Sequence, residues 1–285
     1  MKPSSHPKRI DPTGPLPFLK WPGGKRWIAP WIADLVRDNL TGQYFEPFLG
    51  GASVFFFLQP SAAVLSDLNC GLIETYQAVR SSHKRIVAVL REMSVSARSY
   101  YSIRDARPED HIHRAARFLY LNRTAFGGMF RLNRRGEFNV PYGGGDRTPE
   151  VLYRTEILRH AAKLLARADL VHSDFEPVVK RARAGDVVYC DPTYTVAHNN
   201  NGFVRYNERN FSWDDQKRLA LAAREAQRRG AFVVVSNAYH TELRRLYPSA
   251  ESYVVKRASL VARNADCRRT VAEYVFVLDP GACRL

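Results

Sequence analysis

The sequence predicts an α/β fold, in which buried strands alternate with amphipathic helices, and three observations carry that prediction. Residues 187–190 (VVYC) form an apolar run suited to a buried strand, which stops at Asp191 because Pro192 cannot continue a central strand. Residues 232–236 (FVVVS) form a second such run. Residues 44–58 have the pattern of a strand, a glycine turn and a helix, which opens many nucleotide-binding sheets.

The composition is that of a globular protein with an unusual charge. The 285 residues suffice for one large domain or two smaller ones, and 45% are hydrophobic. Lys and Arg number 43 against 28 Asp and Glu, which leaves a formal net charge of +15. A surplus of this size, with arginines clustered among aromatic, Asn and Gly residues, favours nucleic acid as the partner. The alternative is that the charge serves solubility alone.

The cysteines and the hydropathy pattern argue against a secreted, zinc-binding or membrane protein. The cysteines are scattered without C-x-x-C spacing, as expected of reduced thiols in an intracellular protein: Cys70, Cys190, Cys267 and Cys283. His111 and His113 cannot share a helix face, so we reject a metal site there. No apolar run has membrane-spanning length, and no signal-peptide core is present. We expect a cytoplasmic monomer without metal or membrane partner.

The first motif lies between a polar, proline-rich leader at residues 1–17, which we expect to be disordered, and a helix predicted at about 27–36. It comprises residues 20–25 (KWPGGK). Successive glycines allow backbone N–H groups to converge on an anion, Lys25 adds a full charge, and Trp21 offers a face for a cation or an adenine ring. The alternative is an ordinary Pro-Gly-Gly turn.

The second motif joins two predicted strands. Residues 44–46 end a strand, 47–53 (PFLGGAS) form the glycine turn, and a helix continues through Leu58. A short strand at 62–66 then ends at Asp67. An acid at the end of the second strand, about 20 residues past the glycine turn, is placed to bind ribose hydroxyls. Asp67 is therefore a candidate cofactor ligand.

The middle of the chain changes character twice. Residues 70–122 have helical periodicity and are interpreted as core. Residues 122–143 are rich in Arg, aromatic residues and Asn, and Arg134–Gly136 suits a hairpin turn. Such a projection could contact phosphates and read base edges, or it could be a solvated basic hairpin. A helix at about 150–168 and a strand at 170–172 return the chain to the sheet.

Two motifs in the second half of the chain, each at the predicted end of a strand, contain the residue types expected of a site that binds a planar amine. Asp174 and Phe175 offer an acceptor and an aromatic ring where an adenine could lie. The Asp191 carboxylate and the Pro192 carbonyl could each accept one amine proton, while Tyr194 stacks on the ring. The alternative is an acid that merely ends a strand before a turn.

The remaining segments complete the predicted sheet. Residues 199–202 mark a mobile loop, Ser212 caps a helix, and two final strands at 253–258 and 270–278 are joined by a basic loop that contains Arg268.

Taken together, these segments resemble the Dam-like family of DNA adenine-N6 methyltransferases from Phe18 to Leu278. The resemblance rests on five motifs in the family's order: 20–25 (KWPGGK), 46–55 (EPFLGGASVF), 66–69 (SDLN), Arg131 with 136–141 (GEFNVP), and 189–194 (YCDPTY). It implies a Rossmann-like, mostly parallel sheet with a C-terminal antiparallel hairpin. It also implies an inserted helical target-recognition domain that carries a β-hairpin. We expect residues 18–69 and 150–285 to form the catalytic domain and 70–149 the recognition domain.

The resemblance also implies a cofactor, a partner and residue roles. The cofactor is S-adenosylmethionine, for which we expect contacts from Trp21, Lys25, Phe48, Gly50, Asp67, Asp174, Phe175 and Asp191. The partner is double-stranded DNA, for which we expect contacts from Lys20, Arg123, Phe126, Met129, Arg131, Asn139, Pro141 and Arg268. The catalytic residues are Asp191, Pro192 and Tyr194. Arg131 falls on a guanine-reading arginine, and Met129 and Pro141 on positions that meet a thymine methyl, which suggests adenine within GATC.

Three departures from the family pattern qualify these expectations. Thr193 stands where the family usually has a second proline, and Ala52 stands where relatives often have glycine, which is tolerable unless the backbone requires positive φ. Phe126 and Gly127 replace a Tyr-Asn pair that closes the gap left by a flipped base. Two alternatives follow: a cytosine-N4 methyltransferase, which usually carries Ser in place of Asp191, and a DNA-binding homologue weakened in catalysis by Thr193.

Overall fold

The computed structural model describes residues 16–133, 135–144, 149–194, 211–258 and 270–283. The α-helices are α1 Ala29–Arg37, α2 Ser53–Leu58, α3 Cys70–Glu92, α4 Ala97–Asp105, α5 His111–Thr124, α6 Glu150–Tyr153, α7 Thr155–Leu165, α8 Phe175–Arg181, α9 Trp213–Arg228 and α10 Thr241–Leu246. The strands are β1 Tyr44–Glu46, β2 Ala63–Asp67, β3 Ala168–His172, β4 Val187–Cys190, β5 Phe232–Ala238, β6 Glu251–Ala258 and β7 Thr270–Leu278. Short 3₁₀ turns occupy Phe126–Gly128 and Pro280–Cys283.

The strands form a seven-stranded sheet in the order β3-β2-β1-β4-β5-β7-β6. β1 pairs in parallel with both β2 and β4, and β4 pairs in parallel with β5. The last two strands pair antiparallel with each other, and β7 pairs antiparallel with β5. This is the mostly parallel sheet with a C-terminal antiparallel hairpin that the sequence predicted, and the prediction is confirmed.

Contacts divide the chain into two compact units. The first comprises the described residues up to Leu35, together with Leu49–Ser61 and Asp67–His172. The second comprises Val36–Phe48, Ala62–Ser66 and the described residues from Ser173 onward. The predicted division into a catalytic and a recognition domain stays a prediction.

The second unit is built on buried strands. β1, β4 and β5 are buried along their whole length, as parallel strands covered on both faces usually are. Their apolar side chains are what made the strands recognisable in the sequence. The predicted cap of the following helix is also confirmed: Ser212 and Asp215 form a capping box at the start of α9.

The first unit is mainly helical. The region expected to be helical between residues 70 and 122 contains α3, α4 and α5, whose starts are capped by the side chains of Asn69, Ser96 and Asp110. The predicted basic hairpin is held by isolated bridges between Ala125 and Tyr142 and between Leu132 and Phe138, rather than by full strands.

The structure corrects three local expectations. The helix expected at 150–168 is broken at Arg154, whose φ of 33° ends α6 and begins α7. Asp174 and Phe175 do not end a strand; Asp174 caps α8, which the sequence did not predict. Ala52 has a φ of 53°, so this turn does require positive φ and the alanine there is strained. None of the described helices is both long and apolar enough to cross a membrane.

Candidate functional site

The turn after β4 presents the residues predicted to carry the chemistry. β4 lies between β1 and β5 in the sheet and ends at Cys190. Asp191 and Tyr194 are half-buried, whereas Pro192 is buried. Thr193, the residue that departs from the family pattern, is exposed. The turn is thus anchored by its proline, and the substituted position faces solvent.

The strands beneath this turn are linked by buried polar contacts. The Tyr189 hydroxyl lies 3.0 Å from Ser236 Oγ, which joins β4 to β5. Asn237 on β5 donates to Gln216 Oε1 at 2.9 Å. Burial raises the pKa of the Cys190 thiol, which favours its protonated form. These hydrogen bonds tie the carboxyl ends of β4 and β5 to each other and to α9.

Three aromatic rings form a cluster in the second unit. The ring of Phe48, which follows β1, lies 5.3 Å from that of Phe175, and Phe211 packs against both. Phe175 is buried, with the Arg218 guanidinium 4.9 Å from its ring centroid. Phe48 is only half-buried and therefore exposes more ring surface than Phe175. Of the two phenylalanines predicted to meet the cofactor, Phe48 is the more accessible.

Arg218 is a residue that the sequence analysis missed. Its guanidinium donates to Asp174 at 2.9 Å, to Glu176 at 2.8 Å and to Asp215 at 2.7 Å. Hydrogen bonds from Lys180 and then Arg218 hold the pKa of Glu176 below its ordinary value. The spacing of Arg218 three residues after Asp215 on α9 was the one available signal. Its partners on α8 lie more than 40 positions away along the chain.

In the first unit, Asp67 and the glycine turn are joined directly. The Gly50 N–H donates to Asp67 Oδ2 at 3.0 Å, and the Asn69 N–H donates to Asp67 Oδ1 at 2.9 Å. Tyr76 donates from its hydroxyl to the Gly50 carbonyl at 3.0 Å. Burial raises the pKa of Asp67, although the N–H bonds act in the opposite direction. A half-buried carboxylate oriented this way can still accept from ligand hydroxyls with its remaining lone pairs.

The Pro22–Lys25 turn has a different geometry from a preformed anion site. Gly24 donates its N–H to the Trp21 carbonyl at 3.0 Å, which closes the turn, and Gly23 adopts a φ of 75°. Lys25 is buried, and its ammonium donates to the Gly23 carbonyl at 3.2 Å. The lysine therefore lies close against the turn, and its carbonyl accepts the first bonds of the chain entering α1.

Trp21 stacks on protein rings. Its ring lies 5.1 Å from that of Phe130 and 6.5 Å from that of Phe118, with both pairs stacked. Gly50 packs so closely that a Cβ there would lie 2.7 Å from Trp21 Cδ1. The indole is only half-buried, but its stacking partners are Phe130 and Phe118 rather than a free space for adenine. Trp21 therefore joins the glycine turn to the recognition hairpin.

The recognition hairpin holds its predicted guanine-reading arginine in place. Arg131 is exposed, and its Nε donates to Asn139 Oδ1 at 2.8 Å. Asn133 forms the hairpin turn by accepting from the Arg135 and Glu137 N–H groups. Met129 is half-buried and Pro141 exposed, so both can be reached from solvent. Arg131, Asn139, Met129 and Pro141 all lie on this one projection.

Two further residues predicted to contact DNA, Phe126 and Lys20, are exposed beside the hairpin. Phe126 is 53% exposed, and Gly127 beside it has a φ of 63°. Lys20 is exposed as well, and its backbone N–H and carbonyl both bond the Asn122 side chain. A Cβ on Gly128 would lie 2.6 Å from Lys20 Cδ, which shows how closely Lys20 packs beside the hairpin.

Comparison with known proteins identifies the family. The model of the D12 class of N6 adenine-specific DNA methyltransferases matches residues 21–260. The chain belongs to this family. This D12-class enzyme is 34% identical over 271 residues to the DNA adenine methylase of Escherichia coli K12, covering 93% of this chain and 95% of the relative.

Two further relatives of this D12-class enzyme come from other organisms. A type II methyltransferase of Lactococcus lactis subsp. cremoris is 31% identical over 269 residues, covering 91% of this chain and 94% of the relative. A type II methyltransferase of Methanocaldococcus jannaschii is 33% identical over 248 residues, covering 79% and 85%. The predicted family and its adenine-specific enzyme class are confirmed.

The position of Arg123 in this D12-class enzyme does not agree with its predicted contact to DNA. Arg123 is 3% exposed, and its guanidinium donates to the carbonyls of Leu152 and Phe18. Burial lowers the pKa of Arg123 to about 9. The side chain ties α5 to two distant segments and is not accessible to a duplex. Arg268 and its basic loop, like the predicted loop at 199–202 and the leader up to residue 15, fall outside the described residues.

No group of three or more His, Cys, Asp or Glu side chains in the described part of the D12-class enzyme could hold a metal ion.

Proposed function

We propose that this D12-class methyltransferase transfers a methyl group from S-adenosylmethionine to the N6 amine of an adenine extruded from duplex DNA. The observation that carries the proposal is the Asp191–Tyr194 turn, placed at the carboxyl end of a buried central strand. Ligands of open α/β sheets bind at this edge. The family supplies the reaction class, and the turn supplies groups of the right kind for a planar amine.

In the proposed reaction, two acceptors orient the amine. The adenine nitrogen is a poor nucleophile because its lone pair is delocalised into the ring. The Asp191 carboxylate would accept one amine proton and the Pro192 carbonyl the other, which favours a pyramidal nitrogen whose lone pair points away from the ring. Tyr194 would stack on the base. Positioning and electrostatics would therefore supply most of the catalysis.

Thr193 is compatible with this role. The position is exposed, whereas Pro192 before it is buried and anchors the turn. A side chain that faces solvent contributes little to holding the two acceptors, so the threonine leaves the proposed hydrogen bonds and stack available. This supports an active enzyme over a catalytically weakened DNA-binding homologue, and Asp191 supports adenine over cytosine N4.

The residues proposed for the cofactor fit its polar groups. When bound, S-adenosylmethionine supplies the methyl group on a sulfonium. Asp67, oriented by the Gly50 and Asn69 N–H groups, would accept from the ribose hydroxyls. Phe48 would offer its half-exposed ring to the adenine, with Phe175 behind it and Asp174 anchored by Arg218. Gly50, whose φ of 45° favours glycine, would hold the turn that orients Asp67.

Trp21 and Lys25 have a supporting place in this proposal. Trp21 packs against Gly50, so it would shape the glycine turn more than stack on the cofactor. Lys25 would place its positive charge near the carboxylate of the methionyl group after leaving the Gly23 carbonyl. Both assignments rest on the family motif together with these contacts.

We further propose that the hairpin reads GATC. Arg131 would donate its fork to guanine O6 and N7, with Asn139 fixing the guanidinium plane. Met129 and Pro141 would meet a thymine methyl. Lys20 and Phe126 would contact the duplex. Removal of the adenine from the base stack costs a few kcal/mol. The net charge of +15 supports phosphate contacts around this hairpin.

The deciding experiment is transfer of tritium from methyl-labelled S-adenosylmethionine to duplex oligonucleotides that contain or lack GATC. The wild-type chain should label adenine N6 in the GATC duplex, and Asp191→Ala should not. Asp214→Ala, which removes an exposed carboxylate at the start of α9, is the matched control and should retain full activity. Labelling of cytosine, or equal labelling by Asp191→Ala, would contradict the proposal.

A further inference from the structure

Tyr239 stands at the same edge of the sheet as the Asp191 turn, one strand away. β4 and β5 pair in parallel with Cys190 opposite Val235. Asp191 directly follows β4, and Tyr239 directly follows β5. Neighbouring parallel strands end at a common edge, so the residues that follow them lie at the edge where open α/β sheets bind ligands. Tyr194 lies four positions after Cys190, and Tyr239 lies four positions after Val235, its partner on β5.

The Tyr239 ring is the exposed end of a row of packed aromatic rings. Its centroid lies 4.7 Å from that of Tyr274, which lies 5.1 Å from Phe276, which lies 4.5 Å from Tyr247. Tyr247 and Phe276 are buried in the core, Tyr274 is half-buried, and Tyr239 is 50% exposed. This row of rings therefore runs from the core to the surface and ends in one accessible ring.

The strand that leads to Tyr239 is held by side-chain hydrogen bonds. Asn237 accepts from the Ala238 N–H at 2.9 Å and donates to the buried Gln216 side chain at 2.9 Å. Ser236 is bonded to Tyr189 on the neighbouring strand, two residues before Asp191. A ring supported by three others on a fixed strand loses little conformational entropy when it binds a flat ligand. Such rings form stacking surfaces for bases of unpaired nucleic acid.

We propose that Tyr239, supported by Tyr274, is a base-stacking residue that receives the adenine extruded from DNA. The inference rests on the proposed function, because an extruded base requires an enzyme that acts on a base outside the duplex. The position beside the Asp191 turn favours a nucleobase over other flat ligands. Tyr239 is thus a specificity and capture residue in addition to the Asp191–Tyr194 motif.

The test compares Tyr239→Leu and Tyr239→Trp with Tyr101→Leu, which removes another exposed tyrosine, 41% accessible, in the other unit. Tyr239→Leu should raise KM for duplex DNA about tenfold or more, as loss of one stacked base predicts. Tyr239→Trp, which retains a larger ring, should stay close to wild type, as should Tyr101→Leu. S-adenosylmethionine affinity should be unchanged in all three.

Fluorescence of a duplex with 2-aminopurine at the target position provides a readout independent of catalysis. Stacking quenches this base both inside the duplex and on an aromatic ring. In the saturated complex, where the Asp191 turn still holds the extruded base, Tyr239→Leu should therefore be brighter than wild type and Tyr239→Trp. The proposal is overturned if Tyr239→Leu matches wild type in both measurements, if Tyr239→Trp is as impaired as Tyr239→Leu, or if only cofactor affinity falls. A wild-type chain that labels no adenine would instead refute the proposed function.

Discussion

Asp67 accepts the backbone N–H of Gly50 at 3.0 Å, so the acid that ends β2 is tied to the glycine turn that follows β1. The two residues are 17 positions apart, and their bond orients the carboxylate before any ligand arrives. A preoriented acceptor loses less entropy on binding than a free side chain would. This contact is the basis of the first prediction.

Asp67→Ala should weaken S-adenosylmethionine binding about tenfold to a hundredfold, because it removes the acceptor of charge-assisted hydrogen bonds from the ribose. Isothermal titration calorimetry measures the change, and Asp214→Ala serves as the control. Unchanged affinity would remove the role assigned to Asp67.

The pH dependence offers a second check on the same residue. Burial raises the pKa of Asp67, and bound hydroxyls would favour its ionised form. Cofactor affinity should therefore fall as the pH is lowered through this raised pKa. The fall should be absent from the Asp67→Ala variant.

Asp191→Ala should abolish methyl transfer while leaving duplex binding nearly intact, because the carboxylate orients the amine and makes no proposed phosphate contact. Single-turnover assays with tritiated cofactor measure the first effect, and fluorescence anisotropy with a labelled duplex measures the second. A variant that methylates at a near wild-type rate would overturn the proposed mechanism.

Arg131→Ala should lose about 1–3 kcal/mol of discrimination at the guanine that it reads. Arg131→Lys should recover little, since lysine cannot form the bidentate fork. Mapping N6-methyladenine in a methylation-free host that expresses each variant gives the distribution of modified sites. Methylated adenines outside GATC in wild type, or full specificity in the Arg131→Ala variant, would contradict this role for the hairpin.

Arg135→Ala should instead weaken binding to all duplexes equally and reduce the slope of log affinity against log salt by about 1. Arg135 is exposed at the tip of the same hairpin and bonds through its backbone, so its side chain is suited to a phosphate. The wild-type affinity should fall by orders of magnitude between low and moderate salt, as several phosphate contacts imply. A flat salt profile would mean that the positive charge serves another purpose.

Ala52→Gly should stabilise the protein by about 0.5–1 kcal/mol, since glycine relieves the left-handed conformation but gains entropy when unfolded. Thermal unfolding measures the effect. The matched control is Ala88→Gly, at an exposed position inside α3, which should destabilise by about 1 kcal/mol. A loss of stability from Ala52→Gly would show that the turn does not strain its alanine.

The sequence by itself determined the strands, the order of the motifs and the family. Apolar runs identified β4 and β5 because a strand that is buried on both faces must be apolar throughout. Ser212 and Asp215 predicted the start of α9 because a capping box is made by two residues three positions apart. These signals are local, so they can be recognised without knowledge of the fold.

Only the tertiary structure decided which side chains are available for a ligand. Arg123 is a residue type that often contacts DNA. In the fold, however, it is buried and donates to carbonyls 29 and 105 positions away along the chain. Trp21 stacks on Phe118 and Phe130, and Arg218 bonds to Asp174 across 44 positions. Burial and ring stacking depend on which distant segments contact each other in the folded chain. Local periodicity in the sequence does not predict those contacts.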